Sequence, residues 1–597
     1  MKFRGSALLF LISLVNVNAQ ECTRASVARP RIQAARTTQA FALAATPYSG
    51  PVRQSQSRGT IDTNLFGAME TAGVVPAPLA GDAEYARRVT LDLTGRIPTR
   101  ARLEAFLADT RADKRERLVE ELLASSEWVD KWTMYFGDLF KNSVNFGRQR
   151  YPQERDALVK WTRASLAANK PYDQMARELI TAKGENSWED SGVAFLSWAG
   201  LMIQLEQDRI DLNALQVSDV FLGLSHMDCL LCHNGRGHLT DISLWAGETT
   251  RRQAWGMAAF FGKTSMGLVS AGAGGVGTGP RPGPWYLREA LEKPGYVLDT
   301  TAGDRPARSG GATVSPAYIF NNRSPALGDN YRESLAKEVT GDLQFARTAV
   351  NYIWKEFFVL GIVEPANQFD PARLDPDHPP PAPWTLQPTN ARLLNDLAVD
   401  FVSAKFDLKA LMRQIATSEA YQLSVSYPGE WKPEMEPLFA RKYVRRLWAE
   451  EIHDAIAQSS GLASTVVAMQ LPGGGAAGGP GGNAGGAAPA DPVTSFLDSF
   501  LRGNRVDQLR SGEFNAEQAL RLMNNPFVLD RIQVSAERLK LGDEQLVDEL
   551  FLSVLSRPAT VEERRKAIAM LSAGDRPRQA SDLLWTLYNK VDFVYNY

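Results

Sequence analysis

Helical periodicity runs through most of this 597-residue chain and fails in two places, and those two failures limit how it can fold. Leu103, Phe106 and Leu107 recur at three- and four-residue spacing behind Thr99, and Leu118, Val119, Leu122 and Leu123 repeat the stripe in the next segment. Both patterns predict amphipathic helices, the first over 99–109. The same spacing predicts helices over 154–168, 172–181, 211–224, 345–358, 390–404 and 408–418. Strand signals are sparse, the best being 296–298 and 313–319, so the chain is expected to be mainly α-helical with few short strands. The first failure, 262–311, is rich in Gly and Pro and cannot carry a long helix. It is read as a linker over 263–315, between a helical domain at 61–262 and a second at 316–597. The second failure, 471–492, contains Gly473-Gly474-Gly475-Ala476-Ala477-Gly478-Gly479 and lacks the apolar side chains to bury a core. It is expected to be a disordered insertion in the second domain.

Chemistry concentrates in one pentapeptide of the first domain, Cys229-Leu230-Leu231-Cys232-His233, in a chain that has only three cysteines and five histidines. Two thiols three positions apart followed at once by an imidazole form the attachment signature of c-type haem. Cys229 and Cys232 add across the haem vinyl groups, and His233 becomes the proximal iron ligand. Other chemistry fits the thiols as well: a local disulfide, a thiol redox pair, or a zinc knuckle from Cys229, Cys232, His238 and His226.

The N-terminus points to the same compartment as covalent haem. Lys2 and Arg4 precede an apolar run over 7–17, and Val17-Asn18-Ala19 offers a small-residue cleavage site, so 1–19 reads as a secretory signal peptide. Residues 20–60 are expected to be a flexible segment, with Cys22 a free thiol rather than a lipid anchor, because Gln20 and Glu21 stand where a lipoprotein signal places small residues. The product is expected in the periplasm or outside the cell, with no membrane-spanning segment after cleavage.

Composition narrows the remaining classes. A net charge of −2 with mixed signs gives no footprint for nucleic acid, and 44% hydrophobic residues with 13 tryptophans supply ample core. Gly272-Ala273-Gly274-Gly275-Val276-Gly277 matches a dinucleotide-binding pattern, but Pro280, Pro282 and Pro284 forbid the helix that must receive a pyrophosphate. There is no Gly-x-Ser-x-Gly elbow, and five histidines leave little from which to build a hydrolase triad.

The order of motifs resembles a known family, the planctomycete-type cytochrome c-like domain of unknown function followed by its companion planctomycete-specific domain. The first domain carries the likeness in Arg87-Arg88-Val89-Thr90-Leu91-Asp92-Leu93-Thr94-Gly95-Arg96-Ile97-Pro98-Thr99, in Asn169-Lys170-Pro171-Tyr172-Asp173, and in Phe221-Leu222-Gly223-Leu224 ahead of the Cys/His motif. The second carries it in Phe345-Ala346-Arg347-Thr348-Ala349-Val350-Asn351-Tyr352-Ile353-Trp354, Gly361-Ile362-Val363-Glu364-Pro365, Asp407-Leu408-Lys409-Ala410-Leu411 and Arg445-Arg446-Leu447-Trp448-Ala449-Glu450-Glu451-Ile452, closing on Asp582-Leu583-Leu584-Trp585-Thr586-Leu587-Tyr588-Asn589. The resemblance implies a cytochrome-like first domain and a partner that is either an extracytoplasmic redox protein or a co-encoded secreted protein; it implies no established reaction. Relatives often continue the motif with Asp-His and a Pro-Phe-Asp or Pro-Tyr-Asp turn, where this chain has Asn234-Gly235-Arg236-Gly237-His238-Leu239-Thr240-Asp241. The carry-over therefore stops at Cys229, Cys232 and His233.

A low-spin electron carrier needs a sixth iron ligand, whereas an open position suits ligand binding or peroxide chemistry. Met227, Met257, Met266 and His453 are formal candidates, although methionines on apolar stripes commonly fill cores. His238, five residues after His233, is expected on the same side of a haem, and His378 in Asp377-His378-Pro379-Pro380-Pro381 reads as a solvated loop residue. Arg445, Arg446 and Trp448 fit either a group that holds haem propionates or a partner protein, or an amphipathic helix with snorkelling arginines. The expected function is extracytoplasmic electron transfer through one covalent haem c. The alternatives are a secreted scaffold with a Cys229–Cys232 disulfide or zinc site, and a haem or metal enzyme.

Overall fold

The structure is a computed structural model, described over residues 24–44, 59–143, 145–146, 149–150, 152–202, 205–269, 283–299, 305–308, 311–462, 466–472, 492–503, 505, 510–513 and 515–597. The stretch 1–19 expected to be a signal peptide, Cys22, the Gly-rich run at 272–277 and most of the 471–492 stretch expected to be a disordered insertion lie outside the described residues. Among the described residues the fold is mainly α-helical, with strands only in four two-stranded antiparallel ladders.

Helices begin and end where local chemistry directs them. Thr99 accepts the Arg102 amide at 3.3 Å and starts Arg100–Ala108; Asn390 accepts the Leu393 amide at 2.9 Å and starts Ala391–Ser403; Asp407 accepts the Ala410 amide at 3.0 Å and starts Leu408–Thr417. Gly223 ends Glu206–Leu222 in the left-handed conformation, φ +64°. A side chain there is also barred sterically, because a Cβ would lie 2.6 Å from the Phe369 ring. The helices read from periodicity are found as Pro152–Ala167, Tyr172–Ile180, Glu206–Leu222 and Leu343–Phe358, the third starting five residues before the expected 211.

The strands need two corrections. Only Thr313–Val314 of the expected 313–319 strand pairs, with Tyr296–Val297, because Pro316 has no amide to extend the ladder. A hairpin that periodicity did not reveal, Thr264–Leu268 with Trp285–Glu289, lies inside the Gly/Pro-rich stretch. Its second strand buries Trp285 and Leu287 on one face, too short an alternation to stand out from the surrounding glycines.

The principal apolar core is shared across 263–315. It takes Tyr172 and Phe221 from before that segment and Phe345 and Phe357 from after it. The Tyr172 and Phe345 rings stack at 5.2 Å, and those of Trp132 and Phe357 at 6.1 Å. A second core gathers Leu447, Ile452, Ile456, Phe496, Leu550 and Leu584, and reaches back for Leu91 and Ile97. Apolar packing thus changes hands near residue 445, not at the Gly/Pro-rich stretch.

The helix Asp82–Thr94 bridges the two cores, and its two buried arginines serve as backbone clamps. Arg88 donates to the carbonyls of Tyr421, Leu423 and Tyr597 at 2.7–3.0 Å and pairs with Glu84 at 2.6 Å. Arg87 donates to Phe593 O at 2.9 Å. Buried guanidinium groups persist because each has carbonyl or carboxylate acceptors in place of water.

Candidate functional site

The Cys/His motif is set up by the helix end before it. After Gly223 the chain turns into a short helix, Met227–Cys232, whose Met227, Leu230 and Leu231 are wholly buried. That burial fixes the helix rotation. Cys229 and Cys232, three residues apart and therefore on one face, are left half-buried and are not joined in a disulfide. His233 leaves the helix with extended backbone, φ −139° and ψ 160°, while its amide still reaches Cys229 O at 2.9 Å. Its side chain is exposed.

The loop after the motif is pinned tightly. Gly235 donates to Thr249 O at 2.9 Å, and a Cβ on it would lie 1.6 Å from Ala246 O, so only glycine fits there. Asn234 accepts the Arg251 amide at 2.9 Å. This fold-back stacks the His238 ring on His233 at 4.6 Å with 27° between planes, which places His238 beside the first imidazole. Partial burial first, and then the neighbouring charges of His238 and Arg251, hold His233 below its usual pKa and favour the neutral ring with a free lone pair.

Three arginines that the sequence reading passed over close around the motif. Arg305 donates to Cys232 Sγ at 3.2 Å and to Asp228 O at 3.1 Å, and it pairs with the Asp228 carboxylate at 2.8 Å. Arg251 lies over the Trp255 ring at 4.6 Å, donates to Leu231 O at 2.9 Å, and donates to Pro306 O at 2.7 Å. Arg308, fully buried, pairs with Asp208 at 2.9 Å and with Asp211, which also accepts the Tyr296 hydroxyl at 2.8 Å. The only signal in the sequence for Arg305 and Arg308 is Arg305-Pro306-Ala307-Arg308, inside the stretch taken for a linker.

The other histidines and methionines are placed elsewhere. His226 precedes the motif helix, is buried, and has no hydrogen-bond partner on either ring nitrogen. Burial lowers its pKa against the opposing pull of Asp370. It lines a cavity of about 640 Å³ with Asp241, Asp370, Arg373 and Trp384. Met227 and Met257 are fully buried in the principal core, and Met266 is half-buried in the 264–268 strand. His453 lies in the second core region, 2.9 Å from Asp454 and stacked on Phe527 at 4.3 Å, whereas His378 is exposed and pairs with Asp375 at 2.9 Å. Among the described residues, no group of three or more His, Cys, Asp or Glu side chains has the arrangement to hold a metal ion, so the four ligands of the zinc alternative do not converge.

Haem c requires two reduced thiols on one face and an imidazole with a free nitrogen beside them. Cys229 and Cys232 stand three residues apart on the helix Met227–Cys232 and His233 follows at once with its pKa lowered, so the residue types and spacing are of the kind that group takes.

Among the described residues no helix is long and apolar enough to cross a membrane. No curated protein and no solved structure matches the chain. Two family models do, in sequence: PSCyt2, "Protein of unknown function (DUF1549)", over residues 60–265, and PSD1, "Protein of unknown function (DUF1553)", over residues 331–472 and 488–571. The motif helix and its stacked histidines fall in the first match, and the strand Arg445–Arg446 falls in the second. The chain therefore belongs to the family of proteins in which a PSCyt2 domain is followed by a PSD1 domain.

Proposed function

We propose that this chain is an exported c-type cytochrome-like protein that carries one covalent haem c and passes electrons to an extracytoplasmic redox partner. Cys229 and Cys232 would hold the ring through thioethers, and His233 would bind its iron as proximal ligand. The observation that carries the reading is the arrangement of these three side chains: two half-buried thiols, not joined in a disulfide, on one face of a buried-faced helix, followed at once by an exposed imidazole whose pKa is lowered. Haem bound there supplies a one-electron redox centre. The chain's own residues define its surroundings. His238, stacked against His233, would stand beside the iron ligand, and Arg251 and Arg305 put positive charge beside the motif.

The test is covalent haem itself. The full precursor is produced in a periplasm-secreting host with haem c maturation proteins, and the pyridine haemochrome spectrum of the denatured protein is recorded. Haem is expected to stay with the wild-type polypeptide and to be lost from the Cys229→Ser, Cys232→Ser double variant. A wild-type protein without haem, beside a control cytochrome that matures normally, overturns the reading.

A further inference from the structure

The electron-transfer reading makes no use of the cavity that His226 lines. It measures about 640 Å³ and takes its walls from both family matches, 226 and 241–243 in the first and 364–373 and 383–389 in the second, with Arg31 of the helix Arg24–Ala44 added to them. That volume lies in the range of small-molecule pockets and far exceeds what a single ion fills.

Much of the polar lining is already engaged. Glu364 accepts the Gly361 amide at 2.7 Å and Lys355 at 2.9 Å, and Asp370 accepts the amides of Leu244 and Trp245 at 2.7 and 3.0 Å. Arg373 donates to Thr385 O at 2.7 Å and lies over the Trp384 ring at 4.8 Å. These groups build the walls. Arg31, Asp241 and Gln368 differ. Among the described residues none of these three side chains has a hydrogen bond or an ion pair, and their polar atoms are not closed off from solvent. The ring nitrogens of His226 are closed off, so His226 is wall and takes no part in binding.

The open groups limit what the cavity can hold. They are a guanidinium that only donates, a carboxylate that accepts and a carboxamide that does both, all planar and each able to engage two neighbouring polar atoms. A ligand that satisfies all three offers donors and acceptors together, as hydroxyl groups do. It needs no negative charge, because Glu364 and Glu436 already act favourably on Arg31 and Asp241, of opposite sign, lines the same cavity. Pro365, Pro383 and Pro388 add rigid rings with no amide, and Trp384 adds indole surface, so apolar C–H contact alternates with the hydrogen-bonding groups.

We infer that this cavity binds a neutral polyhydroxylated compound, a mono- or disaccharide, whose hydroxyls bond Arg31, Asp241 and Gln368 while its C–H surface lies on the proline rings and the indole. The site is independent of the haem reading.

The full-length protein is screened against an array of neutral mono- and disaccharides, and the strongest binder is titrated calorimetrically beside glycine and glutamate. Saturable binding of a neutral saccharide at one site is expected, about tenfold weaker in Asp241→Asn and in Gln368→Ala, each of which removes hydrogen bonds from an otherwise unengaged side chain. A wild-type protein that binds no saccharide on the array, or folded variants that both bind as tightly as wild type, overturns the inference. Binding of glycine or glutamate in place of saccharides makes the cavity an amino-acid site and overturns it too. Should the variants not fold, the ring resonance of His226, assigned by its absence from His226→Gln, decides in the wild type: a shift that saturates with the saccharide supports the site, and saturable binding that leaves the resonance unmoved refutes it.

Discussion

At Gly235 the chain has no freedom to choose another residue, because any Cβ would run into the Ala246 carbonyl, a backbone atom that cannot swing aside. Gly235→Ala is expected to cost about 2–4 kcal/mol, since the loop must move to relieve the overlap. A urea midpoint unchanged from wild type would show the loop to be softer than its hydrogen bonds imply. His226 gives a second prediction, one of pH. Its folded pKa is lowered, so between its ordinary value near 6.5 and its folded value the unfolded chain binds a proton that the native state refuses. Its contribution to stability is lost as pH falls through that window and stays lost below it. The urea midpoint should therefore drop between pH 7.5 and 5.5, and His226→Gln should flatten that drop; an identical pH slope in the variant would assign the titration elsewhere. Much of the candidate site was legible at this scale, because Cys229, Cys232 and His233 are contiguous and their spacing is itself the signal. Arg305 was not legible. It lies 73 positions from Cys232, and only the fold brings its guanidinium to the thiol.

Helices were read well where an amphipathic stripe met a capping side chain, as at Thr99, Asn390 and Asp407, because both cues are local. Asn390→Ala should lower stability by about 1 kcal/mol through the lost cap on Ala391–Ser403, measured as a shifted denaturation midpoint. A shift below a few tenths of that value would mean that packing alone holds the helix start. The start of Glu206–Leu222 was missed because Glu206, Gln207 and Arg209 dilute the apolar stripe in its first turn. The 264–268 and 285–289 strands were missed for another reason: their pairing is non-local, and no local cue joins them across the intervening glycines. Leu287 is held by a further bridge to Gly184, which no pattern within the strand reports.

At the scale of the molecule, the helical class was legible from periodicity, whereas the sharing of one core by both family domains was not, since it depends on which stripes meet. Tyr172, Phe221 and Phe345 form a single aromatic cluster that belongs to both. A fragment ending at residue 265 is consequently expected to collapse without fixed packing, with helical far-ultraviolet dichroism but little near-ultraviolet signal and poorly dispersed amide resonances. A sharp, well-dispersed spectrum from that fragment would contradict the shared core. The arginine clamps on the bridging helix have a consequence in time. Arg87, Arg88 and Asp92 find acceptors or donors in Phe593, Tyr597 and Asn596, about five hundred positions downstream. Such long loops close slowly. A polypeptide delivered in order, from a ribosome or through a pore, thus keeps the helix Asp82–Thr94 without these clamps until residues 593–597 have arrived.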